Sequence, residues 1–275
     1  MYPEIHLGPL TLQTFGLMFA LAFLAAGALV AKRLAELGKP TDWAYEIVFS
    51  ALAGGVVGSR LYYIVENYDN VKDDLLGNLF SGSGLVWYGG AIGGALAVLL
   101  WAWYRDFLGL ALFDLAAPAL ALGYAIGRIG CQVSGDGDYG KAWDGPWAMA
   151  YPDGTVPTDQ TVHPTPIYET LVMGLVAFFL WQLRDRFRAG VLFAIYLLYA
   201  GAERFLIEFL RRNDDAVLGL TAAQLESLAT MAIGAVWLLV VRRRHGSLSQ
   251  DGERRGDRGA GNGGDRGRRL RDARS

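Results

Sequence analysis

The residues of this chain best suited to chemistry lie in Gly123–Gly140, GYAIGRIGCQVSGDGDYG. An apolar helical segment, Leu115–Ile126, runs into Gly-Arg-Ile-Gly-Cys and then into a short polar stretch with Asp136 and Asp138. Arg128 thus closes a hydrophobic helix, and glycines beside it bring the backbone close to whatever binds there. A guanidinium near membrane depth costs about 2.5–3.5 kcal/mol on insertion scales unless it is paired or hydrated. Its fork of donors matches a phosphate. An arginine that snorkels to the headgroups or pairs with a nearby carboxylate meets the same need, and taken alone Arg128 leaves both readings open.

Two other arginines, Arg60 and Arg204, fall inside apolar stretches, with Glu46, Asp114, Glu169, Glu203 and Glu208 as available counter-charges. Arg60 reads first as one half of a structural ion pair, and as a substrate contact second. Arg204 and Glu208 are four apart and share a helical face. With Arg211 one turn further on they form a polar stripe, two Arg to one Glu, whose surplus positive charge suits an anionic phosphate. Gly89 and Gly90 open a run of small residues, and such residues let membrane helices approach closely.

These groups need a frame, and composition says it is a membrane. The 275 residues are 53% hydrophobic with a mean hydropathy of +0.25, and the apolar residues come in blocks of membrane length. Seven blocks predict seven spanning helices: Thr14–Ala31, Trp43–Val65, Leu85–Tyr104, Leu108–Gly130, Pro166–Leu183, Gly190–Leu210 and Leu220–Val241. The fold class expected is therefore an all-α polytopic membrane protein. Met1–Gln13 lacks a basic n-region, so the first block reads as a retained helix and not a cleaved signal. Between the fourth and fifth blocks lies a long polar loop, roughly Cys131–Thr165, and Glu66–Asp74 is an acidic loop.

Ten Lys and Arg (Lys32, Arg33, Lys39, Arg105, Arg184, Arg186, Arg188, Arg242, Arg243, Arg244) fall on one set of loops, against four (Lys72, Lys141, Arg211, Arg212) on the other. The richer side is the cytoplasmic one. That puts the N-terminus outside, the C-terminus in the cytoplasm, and Arg128 with the long loop at the outer surface. Residues 1–244 then form one membrane domain. Residues 245–275, rich in Gly, Arg and Asp, form a tail too polar to fold. One cysteine excludes an intrachain disulfide and a multi-Cys metal site, and three histidines far apart argue against a His-based one. No metal, no cofactor and no nucleic-acid partner is implied.

GRIGCQVSGDGDYG resembles the signature of the prolipoprotein diacylglyceryl transferases, usually Gly-Arg-hydrophobic-Gly-Asn followed by an Asn-Gly-Glu turn. LVWYGGAIGG (85–94), HPTPIYE (163–169) and ERFLIEFLRR (203–212) agree with that family in order and spacing. The resemblance covers most of 1–242. It implies a multi-pass enzyme of the bacterial cytoplasmic (inner) membrane. Such an enzyme moves the diacylglyceryl group of phosphatidylglycerol onto the lipobox cysteine thiol of a prolipoprotein. A thioether forms and glycerol phosphate leaves.

The chain departs from the family at four points. Tyr88 stands where the family has His, Cys131 where it has Asn, and Ser134 at its second Asn. Asp136 corresponds to its Glu, in a turn one residue longer. Arg128, Arg204, Tyr88 and Asp136 are then the candidate catalytic residues, with Asp136 a proton acceptor. Gly89, Gly90, Cys131, Ser134, Gly135, Glu208, Arg211, His163, Tyr168, Glu169 and Arg60 are candidates for substrate contact; for His163, Tyr168 and Glu169 structural support comes first. A tyrosine of pKa about 10 is a poor base at neutral pH. These departures keep two other readings open, a phospholipid-binding homologue without turnover and a small-molecule transporter.

The charge asymmetry gives a topological expectation. In a chain lacking Cys131, a cysteine placed at Asp153 should react with a membrane-impermeant thiol reagent in intact cells, and one at Ser247 should not. Labelling of Ser247→Cys from outside would overturn the orientation.

Overall fold

A computed structural model describes residues 1–68, 86–214 and 216–250. Most of the acidic loop, from Asp69 on, and the tail from residue 251 lie outside the described residues. A helix stands at each of the seven expected blocks: α1 (Thr14–Glu36), α2 (Trp43–Glu66), α3 (Trp87–Tyr104), α4 (Leu110–Ser134), α5 (Thr165–Leu183), α6 (Val191–Glu208) and α7 (Ala222–His245). Five of them, α1, α2, α4, α5 and α7, are long and apolar enough to cross a membrane. The other two, α3 and α6, are shorter at 18 residues each, and α6 also carries Glu203, Arg204 and Glu208. The chain is not wholly helical. An antiparallel hairpin, β1 (Glu4–Leu7) with β2 (Leu10–Gln13), precedes α1, and β3 (Met149–Tyr151) pairs with β4 (Thr158–Val162) inside the long loop.

α4 is the axis of the bundle. Its small residues Ala117, Ala121 and Ala125 pack against Met173, Val176, Ala177 and Leu180 of α5 and Leu192 of α6. On its other side Leu112, Leu115 and Ala119 meet Val30 and Leu34 of α1, Ala44 of α2 and Ala102 of α3. Large apolar residues also point outward, among them Leu24, Phe49, Leu100, Leu171 and Leu239, each more than half exposed. A water-soluble bundle would hide them; hydrocarbon around the helices satisfies them instead.

α2 and α3 approach closely through glycines on both helices. A Cβ on Gly58 would strike the carbonyl oxygen of Gly89, and one on Gly93 would strike that of Gly54. Gly89 and Gly90, expected among the substrate contacts, face α2. Small residues here let two backbones meet.

Several boundaries differ from the expected ones, each for a local reason. α1 runs on to Glu36 because Arg33 and Arg184 both bind that carboxylate, at 2.9 and 2.8 Å. α4 runs past Gly130 to Ser134, whose hydroxyl donates to the Gly130 carbonyl at 2.8 Å. Gly135 (φ 61°) then closes the helix in the left-handed conformation. Cys131 and Ser134 therefore belong to the last turn of α4 and not to the polar loop. α6 stops at Glu208, which takes Arg211 off the helical stripe. At the far end of α7, Leu248 accepts from the Arg188 amide at 3.0 Å and the Gln250 amide donates to Arg186 at 3.2 Å. The first residues of the expected tail are thus tied to the α5–α6 turn.

The glycine contact is open to test. Gly93→Val should cost about 1–3 kcal/mol or more through overpacking, read as a lower Tm of the detergent-solubilised protein. Gly16→Ala, where a Cβ meets nothing within 4 Å, should leave Tm unchanged.

Candidate active site

Four charged side chains from four segments converge at the end of the bundle where α4 stops. Arg128, on the penultimate turn of α4, has its Nε 2.6 Å from Oε2 of Glu169 on α5, and its Nη1 donates to Asp138 in the following turn. Arg211, just beyond α6, donates to the other oxygen of Asp138 and, through Nη1, to Glu169 Oε1 at 3.4 Å. Each carboxylate thus bridges both guanidinium groups. Glu169 is wholly buried, whereas the Asp138 side chain is 32% exposed and forms the open side of the quartet. Burial by itself would raise the pKa of Asp138. Arg128 and Arg211 more than offset it, so the carboxyl lies below the usual range. The ring of Tyr124, one turn back on α4, lies 4.9 Å from the Arg128 guanidinium carbon and adds a cation–π contact.

The backbone around Asp138 is fixed at several points. Thr165 Oγ1 donates to the Asp138 carbonyl at 2.6 Å. The Gly140 amide donates to His163 at 2.8 Å and the Lys141 amide to Leu210 at 2.7 Å. Gly137, at φ 96°, makes the turn possible. Beneath it Tyr139 and Tyr151 stack with centroids 4.7 Å apart, and Tyr151 donates to Gln132 Oε1 at 3.0 Å. Burial pushes the Tyr151 phenol up to about 12.

The expected site residues divide into those near the quartet and those with other work. Cys131 is buried, with its sulfur 3.7 Å from Arg128 Nη1. Asp136 accepts from the Asp138 amide at 3.2 Å and so shapes the turn. Ser134 and Gly135 cap α4. His163 stacks on Trp143 at 4.4 Å, and its Nδ1 lies 3.4 Å from the Tyr168 hydroxyl, which accepts from Trp147 at 2.7 Å. Burial holds the His163 imidazole below its usual pKa. Arg204 lies 2.7 Å from Glu208 of its own helix, and Glu208 also accepts from Asn213 at 2.6 Å. Arg60 is buried on α2, which contributes no residue to the quartet. On α3, Tyr88 donates to Glu226 of α7 at 2.7 Å.

One sequence expectation needs correction. The stripe Arg204–Glu208–Arg211 holds no free positive surplus, because Arg204 is matched by Glu208 and Arg211 by Asp138 and Glu169. The acid held by both arginines is Asp138, which was not among the expected site residues. The extra residue in the turn was the signal, since it moves a second acid to where the shorter turn would place something else. Glu226 was also missed, although it is the one acidic residue of α7.

The Cys131 thiol and the Asp136 and Asp138 carboxylates lie within 4.8 Å of one another, a spacing a cation could use. Two guanidinium groups already engage Asp138, which opposes a further cation there.

Apolar helices of membrane length around a buried arginine–carboxylate quartet define a multi-pass membrane protein. The comparisons with known proteins narrow that class. Residues 4–240 match the family model described as prolipoprotein diacylglyceryl transferase. A phosphatidylglycerol–prolipoprotein diacylglyceryl transferase of Clostridium tetani is 35% identical over 82% of this chain and 91% of its own. Those of Methylobacillus flagellatus (35%, 87% and 95%) and Pasteurella multocida (34%, 88% and 92%) are similar. The chain belongs to the prolipoprotein diacylglyceryl transferase family.

The quartet predicts an ordering of stabilities. Glu169→Gln leaves two buried guanidinium groups with one partner and should cost about 3–5 kcal/mol, while Asp138→Asn should cost less. Because the Asp138 pKa is depressed on folding, its stabilisation is present above the unfolded value of about 3.9 and is lost as pH falls below it. Tm measured from pH 7 down to about pH 3 should therefore fall further for the wild type than for Asp138→Asn.

Proposed function

We propose that this protein transfers the diacylglyceryl group of phosphatidylglycerol to the lipobox cysteine thiol of prolipoproteins, forming a thioether and releasing glycerol phosphate. The observation that carries the reading, beside family membership, is the quartet. Two arginines that cannot lose their charge meet at one solvent-reached carboxylate, and each guanidinium has further N–H donors that a lipid phosphate can take beside it.

The reaction displaces a phosphate ester from a glyceryl carbon by a thiolate. Arg128 and Arg211 hold the phosphate and stabilise the charge that grows on it as the carbon–oxygen bond breaks. Glu169 stays behind them and fixes their forks. Arg204, already matched by Glu208, adds charge on the approach from α6, where a nearby cation favours the thiolate over a thiol of pKa about 8.5. Cys131, Ser134, Asp136, His163 and Tyr168 support the turn and its flanks, and Gly89 and Gly90 set the spacing of α2 and α3.

All seven helices cross the bacterial cytoplasmic membrane in this reading. The N-terminus and the quartet lie outside, where a prolipoprotein is presented, and the C-terminus lies in the cytoplasm. Residues 1–244 form the catalytic domain and 245–275 a tail.

The test is direct. Purified protein, phosphatidylglycerol micelles and a lipobox peptide should give a peptide heavier by one diacylglyceryl group; no mass gain overturns the reading. Arg128→Lys keeps charge but loses the fork, so turnover should fall about 100-fold in a protein that still folds. Near-normal transfer by that variant would remove Arg128 from the phosphate.

A further inference from the structure

Transfer requires that the thiol lose its proton, and the quartet offers no acceptor. Asp138 and Glu169 are each bound by two guanidinium groups, and Asp136 is turned to a backbone amide. Arg204 holds Glu208. Among the described residues two further carboxylates bear on this end of the bundle: Glu203 of α6, which is 8% exposed and closed to an incoming group, and Glu226, near the N-terminal end of α7, whose Oε1 accepts the Tyr88 hydroxyl at 2.7 Å. The pair joins α3 to α7 across the bundle. Tyr88 is 43% exposed and Glu226 is exposed as well, so an incoming group can reach them. The other titratable or charged groups acting on this hydroxyl are Arg204 of α6 and Tyr62 of α2. Arg204 also acts on Glu169, which links the pair electrostatically to the quartet.

We infer that Glu226 is the proton acceptor of the reaction, working through the Tyr88 hydroxyl; this rests on the transfer reaction proposed above. The thiol gives its proton to Tyr88 Oη while Tyr88 passes its own to Glu226 Oε1. Tyr88 thus stays neutral throughout, which removes the difficulty of a phenol of pKa about 10 acting as a base. The thiolate attacks the glyceryl carbon, and the carbon–oxygen bond breaks with its electron pair going to the phosphate. Glycerol phosphate then leaves, and Glu226 returns its proton to the phosphate monoester or to water. Tyr88 touches the thiol and is the catalytic residue of the pair. Glu226 acts through it.

A base that is only a packing residue and one that takes a proton separate in a pH profile. In the peptide assay, Glu226→Gln should lower kcat about 100-fold at pH 7, within the usual range for general-base catalysis, with KM for phosphatidylglycerol unchanged within about twofold. The deficit should shrink as pH approaches the thiol's own pKa, about 8.5. Tyr88→Phe should show the same profile, the double variant should be no worse than either single one, and Glu226→Asp should recover much of the loss. A deficit equal at every pH, or no deficit, overturns the assignment of Glu226. Absence of transfer by the wild type at any pH would instead strike the reaction itself.

Discussion

A guanidinium that cannot give up its proton must be neutralised wherever it is buried, and Arg128 imposes that condition on this end of the molecule. Neutralising it takes a residue from α5 and one from the turn after α4. The second arginine, Arg211, shares both carboxylates. Much of the local architecture follows from that requirement. α4 is extended by a back-bonded serine, the chain reverses through glycines with positive φ, and Thr165, His163 and Leu210 bind the backbone at Asp138, Gly140 and Lys141. Tyr151 of β3 stacks on Tyr139 next to Asp138. A carboxylate so constrained has few alternative positions.

The sequence disclosed the helices well because the apolar blocks are separated by charge, and block length is itself a physical quantity in a membrane. It disclosed Arg128 for the same reason: an arginine at the end of such a block has to be explained. Partners were harder. Which acid meets which arginine depends on a turn one residue longer than the family pattern, and residue type alone cannot distinguish Asp136 from Asp138. Helix ends also mattered. Because α6 stops at Glu208, a stripe that looks continuous in sequence becomes a local pair, Arg204 with Glu208, and a separate Arg211. The Tyr88–Glu226 contact joins residues 138 apart; no local periodicity encodes it, and only the oddity of a single acid in α7 hints at it.

Gly89 and Gly90 show how chemistry and packing compete for the same letters. A run of glycines beside a candidate catalytic tyrosine reads equally well as space for a ligand or as space for a helix, and the structure gives that space to α2. The close contact has a functional side nonetheless. With backbone meeting backbone at Gly54, Gly58, Gly89 and Gly93, α2 and α3 have little freedom to slide, so Tyr88 is presented from a stiff support.

The short pairing of Ser247–Gln250 with the α5–α6 turn relocates the point from which the C-terminal extension departs. The chain leaves α7 and doubles back to pair with Arg186, Phe187 and Arg188. Whatever follows Gln250 therefore starts from a mooring at the α5–α6 turn and not from the free end of a helix. A protein domain joined at Gln250 would be anchored to two parts of the bundle, whereas one joined at Arg244 would hang from α7 alone.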